Sequence, residues 1–227
     1  SMASAACLST MVFMSSCSKE DAVTPSPEVA ISKIESVGGS NLKINGLEII
    51  PPTLGQPGIG SLPAGYTNTG SQLAIGLSNS RYLFGNSSNP WILAKNLAPA
   101  GAGTFLTLGA TKSKSAYVDV AIKNLVAGKK YKFTYSISTL AVKNGGLGHT
   151  PYARDLFVFI KQGGEELLNE GISFIDRENQ WITRSEVFTA EDVADTTSML
   201  KLFLISESEN ISYGNIFIPK GAIQEVK

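Results

Sequence analysis

The stretch Lys130-Tyr131-Lys132-Phe133-Thr134-Tyr135-Ser136-Ile137 decides the fold. Its aromatic and apolar residues fall on every second position, with lysine, threonine and serine between them. Because the side chains of a β-strand point alternately to the two faces of a sheet, this period of two predicts a strand with one face in the core and one toward solvent. The core is therefore expected to be built from sheets.

Further short strands are expected on both sides of this one. Residues 116–122 alternate in the same way, and a turn at Ala127-Gly128 follows them. Residues 156–160 are almost entirely apolar and lead to Gly163-Gly164, a pair typical of the tight turn of a hairpin. The remaining strands are expected at 165–168, 172–175, 181–188, 199–205 and 216–226, with brief strands between long loops in 38–110. This pattern predicts an all-β fold, a β-sandwich of the jelly-roll type in a single main domain.

The composition limits the classes of function. The 227 residues, 43% of them hydrophobic, are enough for one sandwich with a substantial core. The 19 Lys and Arg residues balance the 19 Asp and Glu residues, and no basic cluster is interleaved with aromatic residues, so nucleic-acid binding is disfavoured. Both cysteines, Cys7 and Cys17, lie near the start, so no disulfide can form within the rest of the chain.

The first residues predict an exported protein. Residues 3–14 form a small-to-apolar stretch that is too short for a transmembrane helix and is suited to the hydrophobic region of a signal peptide. Met14-Ser15-Ser16-Cys17 resembles a lipobox, and Ser18-Lys19-Glu20-Asp21 resembles the acidic signal of Bacteroides-type surface lipoproteins. The resemblance implies cleavage before Cys17, lipidation of its thiol, and a protein anchored in the outer membrane that faces the extracellular side.

The expected domain organisation follows from this leader: a signal-peptide remnant at 1–16, a lipidated, proline-containing tether at 17–31, and the β-sandwich at 32–227. Because no Lys or Arg precedes Lys19, the numbering is expected to begin inside the leader. Two alternatives stay open. Cys7 is a rival attachment site, and residues 11–14 could instead form a buried strand with Cys17 as a loop thiol.

A second resemblance covers residues 115–226. Asn124-Leu125-Val126-Ala127-Gly128-Lys129-Lys130-Tyr131 is similar to the turn that leads into a central strand of the galactose-binding-like jelly roll, the fold of many carbohydrate-binding modules. Trp181 with Phe188-Thr189-Ala190 resembles the tryptophan strand of that fold, and 200–204 and 216–218 fall where its next and closing strands lie. The resemblance implies a jelly roll whose ligand is a glycan.

The sequence contains no catalytic constellation, so an enzyme is not predicted. His149 is the only histidine, which excludes a histidine-rich metal site and leaves a Ser-His-Asp triad only through a surface loop. Asn45-Gly46-Leu47-Glu48 resembles an early motif that helps to hold a structural calcium in some relatives of the galactose-binding-like fold. Because only one carboxylate matches, neither a metal nor another cofactor is predicted.

The candidate ligand-binding residues lie in two loops. The loop 140–155 is long for a hairpin connection and carries His149, Tyr152 and Arg154. Tyr152 offers a ring for the apolar face of a sugar, and Arg154 offers a planar charged group for its hydroxyls. The alternative is a rim tyrosine beside an Arg154–Asp155 ion pair. Trp91, after a polar turn, is either a further exposed ring or a core residue.

Together these features predict a non-catalytic surface lipoprotein that binds extracellular glycan, as an accessory to polysaccharide uptake. Its expected partners are the glycan and, through the lipid anchor, the outer membrane. The alternative from another class is a structural or adhesive surface protein, either pilus-related or binding matrix or host proteins. Binding to a polysaccharide that weakens when Tyr152, Arg154 or Trp91 is changed would distinguish the first class from the second.

Overall fold

The computed structural model describes residues 48–144, 148–192 and 198–227. The predicted leader, the lipidation site at Cys17, the tether and most of the 45–48 motif lie outside these residues. No helix in the described ranges is long and apolar enough to cross a membrane. The strands are β1 Gly58–Ile59, β2 Tyr66–Asn68, β3 Ile75–Asn79, β4 Thr104–Ala110, β5 Tyr117–Ile122, β6 Lys130–Thr139, β7 Lys143–Asn144, β8 Gly148–His149, β9 Asp155–Gln162, β10 Glu165–Ser173, β11 Ile182–Thr189, β12 Ser198–Ile205, β13 Ser212–Phe217 and β14 Ile223–Val226.

Two antiparallel sheets pack face to face. The seven-stranded sheet has the order β1-β3-β4-β13-β6-β11, with β14 also paired to β6, and the five-stranded sheet has the order β10-β9-β12-β5-β2. From β4 onward most connections carry the chain from one sheet to the other. The predicted all-β sandwich of the jelly-roll type is confirmed.

The inner faces of both sheets form one hydrophobic core. β6 contributes Tyr131, Phe133, Tyr135 and Ile137, all fully buried, as their alternation predicted. The facing strands contribute alternate aliphatic residues to the same core: Val118 and Val120 from β5, Leu156, Val158 and Ile160 from β9, and Leu200, Leu202 and Leu204 from β12. The core therefore fixes which residues of β5, β9 and β12 must point outward.

The predicted turns and strands are confirmed, with two changes of boundary. Gly163 and Gly164 both have positive φ, as a type I′ hairpin turn requires, and they join β9 to β10. The strand expected at 172–175 is the end of β10, which is longer than predicted. The strand expected at 216–226 is divided into β13 and β14, because Pro219 ends the ladder and Gly221 turns with φ +70°.

A long segment covers part of the outer face of the seven-stranded sheet. Residues 80–103 run from the end of β3 to β4, and they include a single 3-10 turn at Leu83–Gly85. Ser136 and Ser138 on the outer side of β6 are buried, although the alternation predicted that this side meets solvent. Lys130 and Lys132, at the other end of the strand, are exposed as expected. Ser136 and Ser138 are buried, contrary to the prediction, because the covering segment is distant in sequence and the sequence of β6 alone does not indicate it.

Candidate functional site

Four aromatic rings lie on the outer face of the five-stranded sheet. We call this set the aromatic face: Tyr117 on β5, Phe157 and Phe159 on β9, and Phe203 on β12. Tyr117 is 42% exposed, and the three phenylalanines are half-buried. They point outward because the alternate residues of the same strands fill the core. An outer sheet face that meets water is normally polar, so this concentration of rings marks a candidate binding surface.

The register of the strands brings the rings into contact. Phe203 lies directly opposite Tyr117 on one side and Phe157 on the other. The Phe157 and Phe203 rings are parallel within 3° with centroids 4.7 Å apart, and Phe159 lies parallel within 7° at 5.5 Å from Phe203. Tyr117 stacks on Phe203 at 5.2 Å. Parallel rings at these separations overlap in an offset stack, so the four rings form a continuous apolar surface across three strands.

Glycines lie at the two ends of the row Tyr117-Phe203-Phe157. Gly171 on β10 is opposite Phe157, and a β-carbon at Gly171 would lie 2.7 Å from Cε1 of the Phe157 ring. A β-carbon at Gly70, beyond β2, would lie 2.6 Å from Cδ2 of the Tyr117 ring and 2.5 Å from the Tyr117 backbone nitrogen. The missing side chains therefore leave room for the rings, and no bulky residue closes the row at these two positions.

Charged side chains border the rings in pairs. The Lys201 ammonium donates a hydrogen bond to Oδ2 of Asp119 at 2.5 Å, and Lys161 lies 2.9 Å from Oε1 of Glu166. The hydrogen bond from Lys161, and after it the one from Asn169, hold the pKa of the Glu166 carboxyl below its usual value. A shallow cavity of about 470 Å³ opens over these pairs and the rings Tyr117, Phe159 and Phe203.

A second concave surface lies at the covering segment on the other sheet. This surface, which we call the leucine groove, has a volume of about 690 Å³ and is lined mainly by residues 80–82 and 90–98 together with Phe105 and Trp181. Leu93 and Leu97 are 89% and 92% exposed beside it. Arg81, Lys95 and Lys143 are the charged residues in its lining. The groove is thus apolar with cationic groups.

Hydrogen bonds fix the segment that carries the two leucines. The Asn96 side chain donates to the carbonyl of Trp181 at 2.8 Å and accepts from its amide at 2.7 Å, which reproduces the pairing of a β-ladder. The Lys95 amide donates to the carbonyl of Asn179 at 2.6 Å, and the Asn179 side chain donates to the carbonyl of Leu93. The exposed leucines therefore extend from a backbone that is bonded on both sides.

The structure places Trp91 largely inside the fold. Its side chain is 7% exposed, its Nε1 donates to the carbonyl of Asn79 at 2.9 Å, and its ring meets Tyr213 edge-on at 6.2 Å. One edge of Trp91 lines the leucine groove. Of the two alternatives for this residue, the structure favours the core position.

His149, Tyr152 and Arg154 are not among the residues that line the leucine groove with Trp91. His149 is exposed, with its ring 5.2 Å from that of Tyr152, and its Nδ1 lies 2.6 Å from the carbonyl oxygen of Thr150. Burial, and after it the charge of Glu178, raises the pKa of the Tyr152 hydroxyl. Their role in ligand binding stays a prediction.

Arg154 is engaged by acidic residues. Its Nε lies 3.3 Å from Oδ2 of Asp155, and its Nη1 pairs with Glu207. The structure thus shows the Arg154–Asp155 pair that was the alternative to a role in sugar recognition. A guanidinium held by two carboxylates has fewer free donors for a ligand.

The aromatic face was missed at the level of sequence. Residues 156–160 are apolar at every position, a pattern also expected of a strand buried on both sides. The usable signal is that Phe157, Phe159 and Phe203 hold the alternate positions of strands whose other residues are aliphatic. In an antiparallel sandwich those positions point outward, whether or not another part of the chain covers them.

Comparisons with known proteins identify no family. No protein-family model matches the chain, and no curated protein matches it. Solved structures similar to it include the enzymatically active domain of tailspike protein 4 of bacteriophage CBA120, with 10% identity, a TM-score of 0.46, and coverage of 77% of this chain and 21% of the tailspike chain. A cyclase from Fischerella sp. TAU has 14% identity, a TM-score of 0.48, and coverage of 74% of this chain and 88% of its own. The N-terminal cellulose-binding domain of Cellulomonas fimi β-1,4-glucanase C has 11% identity, a TM-score of 0.42, and coverage of 74% of this chain and 92% of its own.

This chain therefore spans about a fifth of the tailspike chain. At these identities and TM-scores, the likeness assigns neither a family nor a function. Within the described residues, no three His, Cys, Asp or Glu side chains lie close enough together to hold a metal ion.

Proposed function

We propose that the aromatic face binds a glycan without catalysis. The observation that carries this proposal is the stack of four outward rings, three of them parallel within 8°, on a sheet face that no described part of the chain covers. The apolar side of a sugar ring packs on apolar ring surface, which here consists of the edges of the stacked rings and the parts of their faces that the offset leaves uncovered. The sugar hydroxyls need donors and acceptors beside that surface. The aromatic face offers both, because Lys161, Lys201, Asp119 and Glu166 border the rings.

The same polar groups argue for binding without cleavage. Hydrolysis of a glycosidic bond generally needs two carboxyl groups, one as an acid and one as a base or nucleophile. Asp119 and Glu166 are each held by a lysine. The hydrogen bonds from Lys161 and then Asn169 hold the pKa of the Glu166 carboxyl below its usual value, so Glu166 is not suited to donate a proton as the general acid, and the Asp119 carboxylate is occupied by Lys201.

Binding to a glycan array, followed by affinity electrophoresis of the full chain, tests the proposal. Tyr117→Ala and Phe203→Ala should each weaken binding about 10- to 100-fold, the equivalent of about 1.4 to 2.8 kcal/mol of lost apolar burial. Val187→Ala is the matched control, because Val187 is also apolar and 57% exposed but lies on β11 of the other sheet. Unchanged affinity in folded Tyr117→Ala and Phe203→Ala proteins would contradict the proposal.

We also propose that the domain is displayed outside the cell as an outer-membrane lipoprotein that assists polysaccharide uptake. This rests on the sequence motifs around Cys17 and on the need of such a protein to meet its glycan outside the cell. Mass spectrometry of the protein from native membranes tests it. A peptide with a lipidated N-terminal Cys17 is expected, and an unmodified peptide running through Ser16-Cys17-Ser18 would contradict it.

A second candidate function is protein adhesion through the leucine groove. Leu93 and Leu97 are almost fully exposed on a segment fixed by hydrogen bonds. Exposed apolar surface of this kind is unfavourable in water and marks sites of protein interaction. The cationic groups suit an acidic partner, such as a matrix or pilus protein. Leu93→Ser and Leu97→Ser together should abolish adhesion to such proteins and leave glycan binding unchanged, as measured by surface plasmon resonance.

A further inference from the structure

We infer that the ligand of the aromatic face is an uncharged polysaccharide that is held within its chain, not by an end; this inference rests on the proposed glycan-binding function. Two features carry it. The charged groups beside the rings cancel in pairs, and the row of rings ends in glycine on both sides. Each feature has its own test.

The charges on the outer face of β5, β9 and β12 are balanced. The only cations at outward positions of these strands are Lys161 and Lys201, and each contacts a carboxylate within 3 Å. Asp155, which begins β9, is paired with Arg154. An anionic glycan binds tightly where a cation is free to meet its carboxylate or sulfate groups. At the aromatic face such a group would have to compete with Asp119 or Glu166 for its lysine.

An uncharged glycan meets no such competition. Its hydroxyls both donate and accept hydrogen bonds, so they can donate to free lone pairs of the two carboxylates and accept from remaining lysine protons without breaking either ion pair. The Asn169 amide already donates to Glu166 at 2.9 Å, which further fixes that carboxylate. The site is thus prepared for neutral hydrogen-bonding groups along one side of an apolar row.

The geometry of the row favours a polymer. Tyr117, Phe203 and Phe157 lie on three neighbouring strands, so the row of rings spans about 10 Å at the usual spacing between strands. This is longer than one sugar ring. Because Gly171 and Gly70 carry no side chain, a bound chain can continue past either end. Recognition of a chain end would instead need a wall that surrounds the terminal sugar.

Affinity electrophoresis of the full chain tests the charge selectivity. The probes are three neutral polysaccharides (galactan, xyloglucan and mannan) and two anionic ones (polygalacturonate and chondroitin sulfate), all at physiological ionic strength. The wild type should be retarded by at least one neutral polysaccharide and by neither anionic one. Asp119→Asn, which frees Lys201, should increase the affinity for polygalacturonate severalfold. Glu225→Gln is the matched control, since it frees Lys129 on the other sheet with the same change of charge and should have no effect.

The outcomes separate this inference from the proposed function. If the wild type prefers an anionic polysaccharide and Phe203→Ala abolishes that binding, the proposed function stands and the inference is wrong. If no polysaccharide of either kind binds, or if Phe203→Ala binds as well as the wild type, both fail. Lack of any gain by Asp119→Asn over Glu225→Gln would also contradict the part assigned to the ion pairs.

Calorimetry with oligosaccharides of the bound polysaccharide tests binding within the chain. Affinity should rise from the disaccharide through the longer oligosaccharides as more rings become covered. Borohydride reduction of the terminal sugar of a long oligosaccharide should leave its affinity within twofold of the untreated form. Loss of binding after reduction would show that an end is recognised and would overturn this part of the inference.

Discussion

The outer faces of the two sheets carry similar residues and meet different surroundings. On the seven-stranded sheet, Phe105 points outward from β4 and is fully buried, because residues 80–103 cover it and Trp181 packs edge-on against it at 5.0 Å. On the five-stranded sheet, Phe203 points outward from β12 and no described part of the chain covers it. Aromatic residues at outward positions thus complete the fold on one side, and on the other they remain free for a ligand.

The covered face also contains a buried network of uncharged polar side chains, whereas the polar groups beside the rings of the open face include partly exposed charged pairs. The Thr107 hydroxyl donates to Oδ1 of Asn215 at 2.7 Å and lies 2.7 Å from the hydroxyl of Ser78, while the Asn215 amide donates to Ser138. These side chains are all buried, and their mutual hydrogen bonds offset the cost of removing them from water. On the open face the charged groups stay near solvent, where a ligand can reach them.

The largest expected effect is on stability at the covered face. Phe105→Ala should lower the free energy of unfolding by about 3 to 5 kcal/mol, because it leaves a cavity between β4, Trp181 and the covering segment. Phe203→Ala, the same change on the open face, should cost less, about 1 to 2 kcal/mol, since its side chain is only partly buried. Urea unfolding of both variants measures the difference. Equal losses would mean that the two faces do not differ in the way described.

A smaller effect is expected where the covering segment is attached. Asn96→Ala should cost about 1 to 3 kcal/mol, because the amide and carbonyl of Trp181 both lose their partner. Hydrogen exchange at the Trp181 amide should be faster in Asn96→Ala than in the wild type. Asn86→Ala is the control, since the Asn86 side chain accepts a hydrogen bond from the amide of Ser88 at an exposed turn and its loss should cost less than about 0.5 kcal/mol. If Asn96→Ala changed neither the free energy of unfolding nor the exchange rate, apolar contacts alone would hold the segment in place.

A further effect is expected where a glycine supports the open face. Gly171→Ala should displace the Phe157 ring, because the new β-carbon would lie 2.7 Å from it, at a cost of about 1 kcal/mol in stability. The glycan affinity of Gly171→Ala, measured by calorimetry, should also be lower than that of the wild type. Gly103→Ala, where the β-carbon meets nothing within 4 Å, should be neutral in both respects. Unchanged affinity in Gly171→Ala would remove Phe157 from the binding surface.

The smallest effect concerns pH. Because the pKa of Glu166 is lower in the folded chain than in the unfolded chain, its contribution to stability is complete above the unfolded value, about pH 4.3. That contribution is lost as the pH falls through the folded value. The difference in stability between the wild type and Glu166→Gln should therefore be constant from pH 7 to about pH 5 and disappear at lower pH. Urea unfolding at each pH checks this, and a difference that grows on acidification would contradict the assigned direction.

The fold could be predicted because its information is local. The alternation at 116–122 and 130–137 set the inner faces of β5 and β6, and Gly163-Gly164 closed the hairpin that follows β9. The candidate site could not be found in this way. Phe105 and Phe203 have the same alternating context, and what separates them is the packing of residues 80–103, a long-range contact that no window of sequence contains.

The prediction for loop 140–155 and for Trp91 also depended on contacts that the sequence does not show. Tyr152 and Arg154 have suitable side chains for a sugar, but Arg154 is held by Asp155 and Glu207. Trp91 follows an exposed turn, yet its indole reaches the carbonyl of Asn79 inside the fold. Residue type thus indicates which side chains have groups that suit a sugar, while the partners that occupy each side chain depend on the assembled structure.

The aromatic face is assembled from distant parts of the chain. Its rings come from positions 117, 157, 159 and 203, and they meet only after β12 has paired with both β5 and β9. Sheets that depend on such non-local pairing fold slowly, and the aromatic face does not exist until the last of these strands is in place. A glycan bound there therefore selects the completed sandwich and stabilises it by mass action, so that glycan added during refolding would protect the finished domain from proteolysis.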